Sequence, residues 1–220
     1  MKLLIVASLP MEFAGIRAPR HRVSMRADWA RSTRLGDHEA LLVANGAGAH
    51  RASAAVDAAF QTFQPDALIS TGFCGALDPK LQLAEIIVGS ESTRAVNNAT
   101  PHHVGPVITI DHIAQTAEEK RRLRATGAIA VDMEASIVAA RATALDLPFF
   151  CVKSVTDLAD ESMANNLNSA LRPDGHFDTI KVLKEVLRHP TVRLPELVRF
   201  RKRGSRAAQS LGDFLGSCRF

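Results

Sequence analysis

Strand-length apolar runs alternating with longer segments of helical spacing constrain this chain most. Residues 2–8, 67–72, 85–90, 106–110, 128–132 and 149–155 have the length and composition of buried strands. Between them, residues 49–63 carry Ala52, Ala55, Val56, Ala59, Phe60 and Phe63 at helical spacing and stop before Pro65. Thr116 and Glu119 have capping-box spacing and open a helix to about residue 125, and a small-residue helix is expected over 134–146. Residues 29–34 and 40–44 read as a hairpin around Gly36 and Asp37. Further helices are expected near 158–170, 177–188 and 195–216. Alternation of this kind makes an α/β domain with a largely parallel sheet, because parallel strands need a crossover between them.

The chain's 220 residues suit one such domain, and 46% hydrophobic with 23% charged residues is the balance of a soluble protein rather than a disordered one. No apolar run reaches the roughly 18 residues of a membrane span. Three cysteines (Cys74, Cys151 and Cys218), odd in number and far apart, form no disulfide framework and suit a reducing, cytoplasmic setting. The apolar start is short, carries one lysine and is followed by Glu12, so it reads as a first strand rather than a signal peptide. The net charge of +4 is concentrated: residues 193–220 hold seven bases and two acids. The division expected is a body over 1–192 and a basic, amphipathic helical tail over 193–220, with Ala207, Ala208, Leu211, Phe214 and Leu215 as its apolar stripe. That stripe can dock on the body, on another subunit or at a membrane surface. The tail matches no nucleic-acid module, and no nucleic-acid partner is expected.

In such sheets ligands lie at the carboxyl ends of strands. The residues there are chemically loaded: Glu12, Gly46-Ala47-Gly48, Phe73-Cys74-Gly75, Asp111-His112, Asp132-Met133-Glu134 and Thr156-Asp157. The glycine loop, with Arg51 three positions on, is either a tight turn or an anion site at a helix start, and Arg51 breaks the dinucleotide fingerprint. Glu134 and Asp157, after two successive strands, can share a cleft as hydroxyl acceptor and acid, or act merely as helix caps. The histidines show no metal-ligand spacing, His102-His103 reads as a loop pair, and the cysteines read as buried thiols rather than nucleophiles.

Together, Ile5 to Glu12, Ala44 to Gly48, Ser70 to Pro79, Ala128 to Ala135 and Lys153 to Asp160 resemble the purine nucleoside phosphorylase and nucleosidase superfamily. Gly105 through Asp111, Glu119-Lys120 and Val131-Asp-Met-Glu134 look most like its short, hopanoid-associated bacterial branch. The resemblance implies a single three-layer domain with a central mixed, largely parallel sheet, and cleavage of the N-glycosidic bond of a purine nucleoside without metal or organic cofactor. It casts Asp157 as general acid and Glu12 as the carboxylate that orients water. Glu134 and Met133 would hold the ribose, and Asp111, His112 and Ile113 would cradle the base. Phe73, Cys74, Gly75 and Thr156 complete the expected substrate contacts. Phe73 stands where many relatives have a hydroxyl, and Ser70 where phosphorylases carry an arginine. Hydrolysis is therefore favoured, with Gly46, Gly48 and Arg51 as a possible anion site if phosphate replaces water. The alternatives are phosphorolytic release of adenine from an adenosyl-hopanoid lipid, and a non-catalytic nucleoside-binding protein. A homo-oligomer and peripheral membrane contact through the tail are also expected.

Overall fold

A computed structural model describes all of residues 1–220. Its elements are β1 (Lys2–Ala7), a 3-10 turn (Pro10–Phe13), β2 (His21–Arg22), β3 (Trp29–Leu35), β4 (His38–Ala44), α1 (Ala49–Phe63), β5 (Ala67–Ala76), β6 (Ile86–Gly89) and β7 (His103–Gly105). They continue with β8 (Val107–Thr109), α2 (Ala117–Arg124), β9 (Ala130–Asp132), α3 (Ala135–Ala144), β10 (Phe149–Asp157), α4 (Leu167–Ala170), α5 (Thr179–Arg188) and α6 (Pro190–Ser217). The strands form one sheet in the order β2-β3-β4-β1-β5-β10-β6-β7, with β9 branching from β5 and carrying β8. Its centre is parallel: β1 with β4 and β5, and β5 with β10. The hairpin partner β3 runs antiparallel to β4, and β6 antiparallel to β10, so the sheet is mixed as expected.

Alternating strand residues face two layers. One face, including Leu4, Val6, Leu41, Leu68 and Phe149, packs on α1 and α3. The other, including Leu3, Ile5, Leu42, Ile69 and Phe150, packs on α6 through Leu211, Phe214 and Leu215. The tail's apolar stripe thus docks on the body, the first of the three partners open to it. Two close approaches seat α6: a Cβ at Gly212 would lie 2.0 Å from the carbonyl carbon of Gly15, and one at Gly15 would lie 2.1 Å from Ala208 O. Only glycine lets these backbones touch.

The Thr116 hydroxyl caps α2 by accepting from Glu119 N, as its spacing predicts. The expected helix over 158–170 shrinks to α4. Its first residues are polar and make tertiary bonds instead: Asn165 gives its backbone and side-chain N–H groups to Glu196, and Met163 N bonds Gln115 O. His103 is a strand residue rather than part of a loop pair, and bonds Glu85.

Candidate active site

The carboxyl ends of β1, β5, β9 and β10 surround one cavity of about 740 Å³. Glu12 enters it from the 3-10 turn that follows β1, and is buried. Its two oxygens accept from Leu9 N (2.7 Å) and Phe73 N (2.8 Å). Burial outweighs those bonds and pushes its pKa up to about 7. Gly72 makes the approach possible: its φ is +121°, and a Cβ there would sit 2.5 Å from Glu12 Oε1.

Asp157 ends β10 beside Gly75, where an added Cβ would meet its Oδ2 at 2.9 Å. Thr156 Oγ1 donates to Oδ1 (3.1 Å), and the ammonium of Lys120 lies 2.5 Å from Oδ2. Lys120 is completely buried and also donates to Leu158 O. Burial raises the pKa of Asp157, while Lys120 works against that rise.

Glu134, after β9, accepts from Gly48 N (2.8 Å). Its pKa is raised by burial, with Lys153 opposing and Asp132 reinforcing the shift. Asp132 is the support of this corner. It accepts from Thr109 Oγ1 and from Ala135 N at the start of α3, and forms a wholly buried ion pair with Lys153 at 2.7 Å. Burial pulls the Lys153 pKa down, but Asp132 and its neighbours more than reverse this, so Lys153 stays charged.

The cavity brings together Glu12, Phe73, Cys74, Gly75, His112, Ile113, Met133, Glu134, Thr156 and Asp157. Asp111 is not among its walls; it is exposed and bonds His112 Nδ1 at 2.7 Å. His112 spans Asp111 and Glu119, whose hydrogen bonds raise its pKa. The backbone of Ile113 is already paired at both N–H and C=O with the Asn168 amide. Cys74 is a buried thiol with its pKa raised by desolvation, which opposes thiolate formation.

Gly46, Gly48 and Arg51, the expected anion site, do not line the cavity. Gly46, Ala47 and Gly48 spend their amides on Ser8 O, Gly175 O and Glu134. Arg51 turns to Asp28, Asn45 O and His176, away from the cavity. The loop is a tight turn that positions Glu134, and its positive φ at Gly46 and Gly48 explains the glycines.

Sequence reasoning missed two lysines and an entire wall. Lys120 and Lys153 were given no role of their own, yet both are buried ion-pair partners. The outer wall comes from α5 and α6: Val182, Leu197, Phe200, Arg201 and Gly204 line the cavity. Gly204 lets α6 lie over Met11 and Phe73, which a Cβ would approach to 3.1 and 3.4 Å. No group of three or more His, Cys, Asp or Glu side chains is arranged to hold a metal ion.

Comparison with known proteins places the chain among its relatives. A 5′-methylthioadenosine/S-adenosylhomocysteine nucleosidase of Staphylococcus aureus is 23% identical over 163 residues, covering 57% of this chain and 72% of its own. The S. pneumoniae nucleosidase of the same name, solved with a transition-state inhibitor, superposes with a TM-score of 0.66 at 19% identity, covering 99% of both chains. Helicobacter pylori futalosine hydrolase superposes with a TM-score of 0.71 at 14% identity, over 99% of this chain and 96% of its own. These structural likenesses establish the fold. The family model of the phosphorylase superfamily matches residues 3–99 and 91–188, and the chain belongs to that superfamily.

Proposed function

We propose that the protein is an enzyme that hydrolyses the N-glycosidic bond of a purine nucleoside, with adenine as the base. The observation that carries this is the convergence of three buried carboxylates, Glu12, Glu134 and Asp157, on one cavity. Each has a distinct task. Asp157, with its pKa raised by burial, gives a proton to the departing purine. Glu134 accepts hydrogen bonds from the ribose hydroxyls as positive charge grows on the sugar, and Met133 packs against it. Glu12, with a pKa near 7, takes a proton from water as the water oxygen bonds to the anomeric carbon. The glycosidic electron pair leaves with the base, and the products are free base and free sugar.

Water rather than phosphate is favoured by the cations. Arg51 is held by Asp28, Arg17 by Asp213 and Lys153 by Asp132. Arg201 is the one Lys or Arg that lines the cavity, on its α6 wall. Relatives whose names denote nucleosidases and hydrolases support the same choice.

A second reading rests on the outer half of the cavity. Met163, Leu167, Phe177, Val182, Leu197 and Phe200 make an apolar extension beyond the carboxylates. It suits a large apolar 5′ substituent, as in an adenosyl-hopanoid lipid, released by water or by phosphate.

The test is release of adenine from methylthioadenosine and adenosine, and of hypoxanthine from inosine, with and without phosphate, with mass analysis of the sugar. Free sugar in both conditions is expected. Ribose 1-phosphate formed only with phosphate would overturn hydrolysis. Release from an adenosyl lipid alone would favour the second reading, and nucleoside binding without release from any substrate would make the chain a binding protein.

A further inference from the structure

Six of the nine large apolar side chains left exposed fall within residues 180–198. Ile180, Leu183 and Leu187 share one face of α5, and Leu194 and Val198 share one face of α6, with Val192 near its start. These six are between 48 and 67% exposed, and they lie on two consecutive helices that form a hairpin around His189. They are not the stripe that the sequence offered for docking, because that stripe is buried in the core. Concentration of exposed apolar surface on one hairpin marks an interaction surface.

Charge identifies the partner. From Thr179 to Arg203 the chain has eight bases and two acids. Both acids are occupied: Glu196 is buried and accepts from Ala164 and Asn165, and Glu185 pairs with Arg188 and Arg193. Lys181, Lys184 and Lys202 are exposed and form no salt bridge, although Lys181 lies near Asp178. Apolar side chains ringed by unpaired lysines match the acyl boundary and headgroups of an anionic bilayer. A second copy of the chain, docked by the same surface, would set two strongly basic patches face to face and be repelled.

We propose that the α5–α6 hairpin is a docking surface for an anionic lipid bilayer. Ile180, Leu183, Leu187 and Leu194 enter the interface, while Lys181, Lys184 and Lys202 meet the headgroups. Other faces of the same helices, at Val182, Leu197 and Phe200, form the outer wall of the cavity, so the docked surface and the cavity share one pair of helices. The surface stands whether the cavity takes a small nucleoside or a lipid-linked one.

The experiment is co-sedimentation of the full chain with vesicles of phosphatidylcholine alone and of phosphatidylcholine mixed with phosphatidylglycerol. Adenine release from small nucleosides and light scattering are measured in parallel. Binding to the mixed vesicles is expected to be at least about tenfold tighter and to weaken with salt. Leu183→Glu with Leu187→Glu is expected to lose that binding by about tenfold or more, with melting temperature and adenine release unchanged. Lys181→Gln and Lys184→Gln are each expected to weaken it about fivefold. Equal binding to both vesicles, or anionic binding that survives the paired leucine substitution, would overturn the proposal. So would a dimer that the leucine pair dissociates in the absence of lipid. Failure of adenine release with vesicle binding intact would count against the catalytic reading alone.

Discussion

Asp157 stands between burial, which favours its neutral form, and the Lys120 ammonium, which favours its charged one. Replacing it with Asn keeps the shape and removes the transferable proton. Asp157→Asn should lower kcat by about 10³-fold with the circular dichroism spectrum unchanged. Lys120→Met removes the opposing charge, so Asp157 keeps its proton to higher pH. The alkaline limb of the pH–rate profile should move up by about one unit or more, a shift that a purely structural role for Lys120 would not produce. Glu12 acts in the ionised form, so kcat/KM should rise with pH through about 7, and Glu12→Gln should abolish both that limb and most of the rate. The three carboxylates were legible because each follows a strand-length apolar run, where an α/β sheet presents its ligands. Lys120 and Lys153 were not, because their meaning lies in contacts 37 and 21 positions away along the chain, with Asp157 and Asp132. The pairing of Arg51 was hidden for the same reason: its partner Asp28 lies on the far side of a hairpin.

At the scale of elements, periodicity located the strands and helices that make the sheet and its two covering layers. It did not say which neighbour each helix would meet. The spacing of Ala207, Leu211, Phe214 and Leu215 announced an apolar stripe, but only the glycines at 15, 204 and 212 decide where α6 can lie, and their role appears once the backbones are in contact. β7 escaped notice because three residues carry too little pattern, and the helix expected over 158–170 is cut to α4 because Met163 and Asn165 bond Gln115 and Glu196 instead of their own neighbours. The seating of α6 is open to test at Gly212. A valine there would place carbon atoms where the backbone of Gly15 already stands, and neither backbone can yield cheaply. Gly212→Val should cost about 3 kcal/mol, lowering the melting temperature by roughly 6–12 °C for a domain of this size. Because α6 packs on the 3-10 turn that carries Glu12, the variant should also lose activity at temperatures where it is still folded. A full-strength enzyme with a normal melt would mean that α6 can slide without disturbing the catalytic turn.

For the whole molecule, the question is whether the basic C-terminal segment is an appendage or part of the body. The charge distribution sets residues 193–220 apart, whereas the packing draws them in: Ala207, Leu211, Phe214 and Leu215 are almost completely buried against the strands of the sheet. Full burial of Leu or Phe is worth about 1.5–3 kcal/mol each. Loss of the three large side chains alone therefore approaches the whole 5–15 kcal/mol or so that stabilises a typical domain. The same deletion removes Glu196, which accepts the amides of Ala164 and Asn165, and Arg203, which clamps Glu161 beside Asp157. A chain ending at residue 192 should consequently show no cooperative thermal transition by calorimetry and no adenine release. Point substitutions confined to the outward face of α5 should leave both intact. If the truncated chain melted cooperatively and still released adenine, the segment would be a dispensable domain, and the cavity would need only the walls supplied by the sheet.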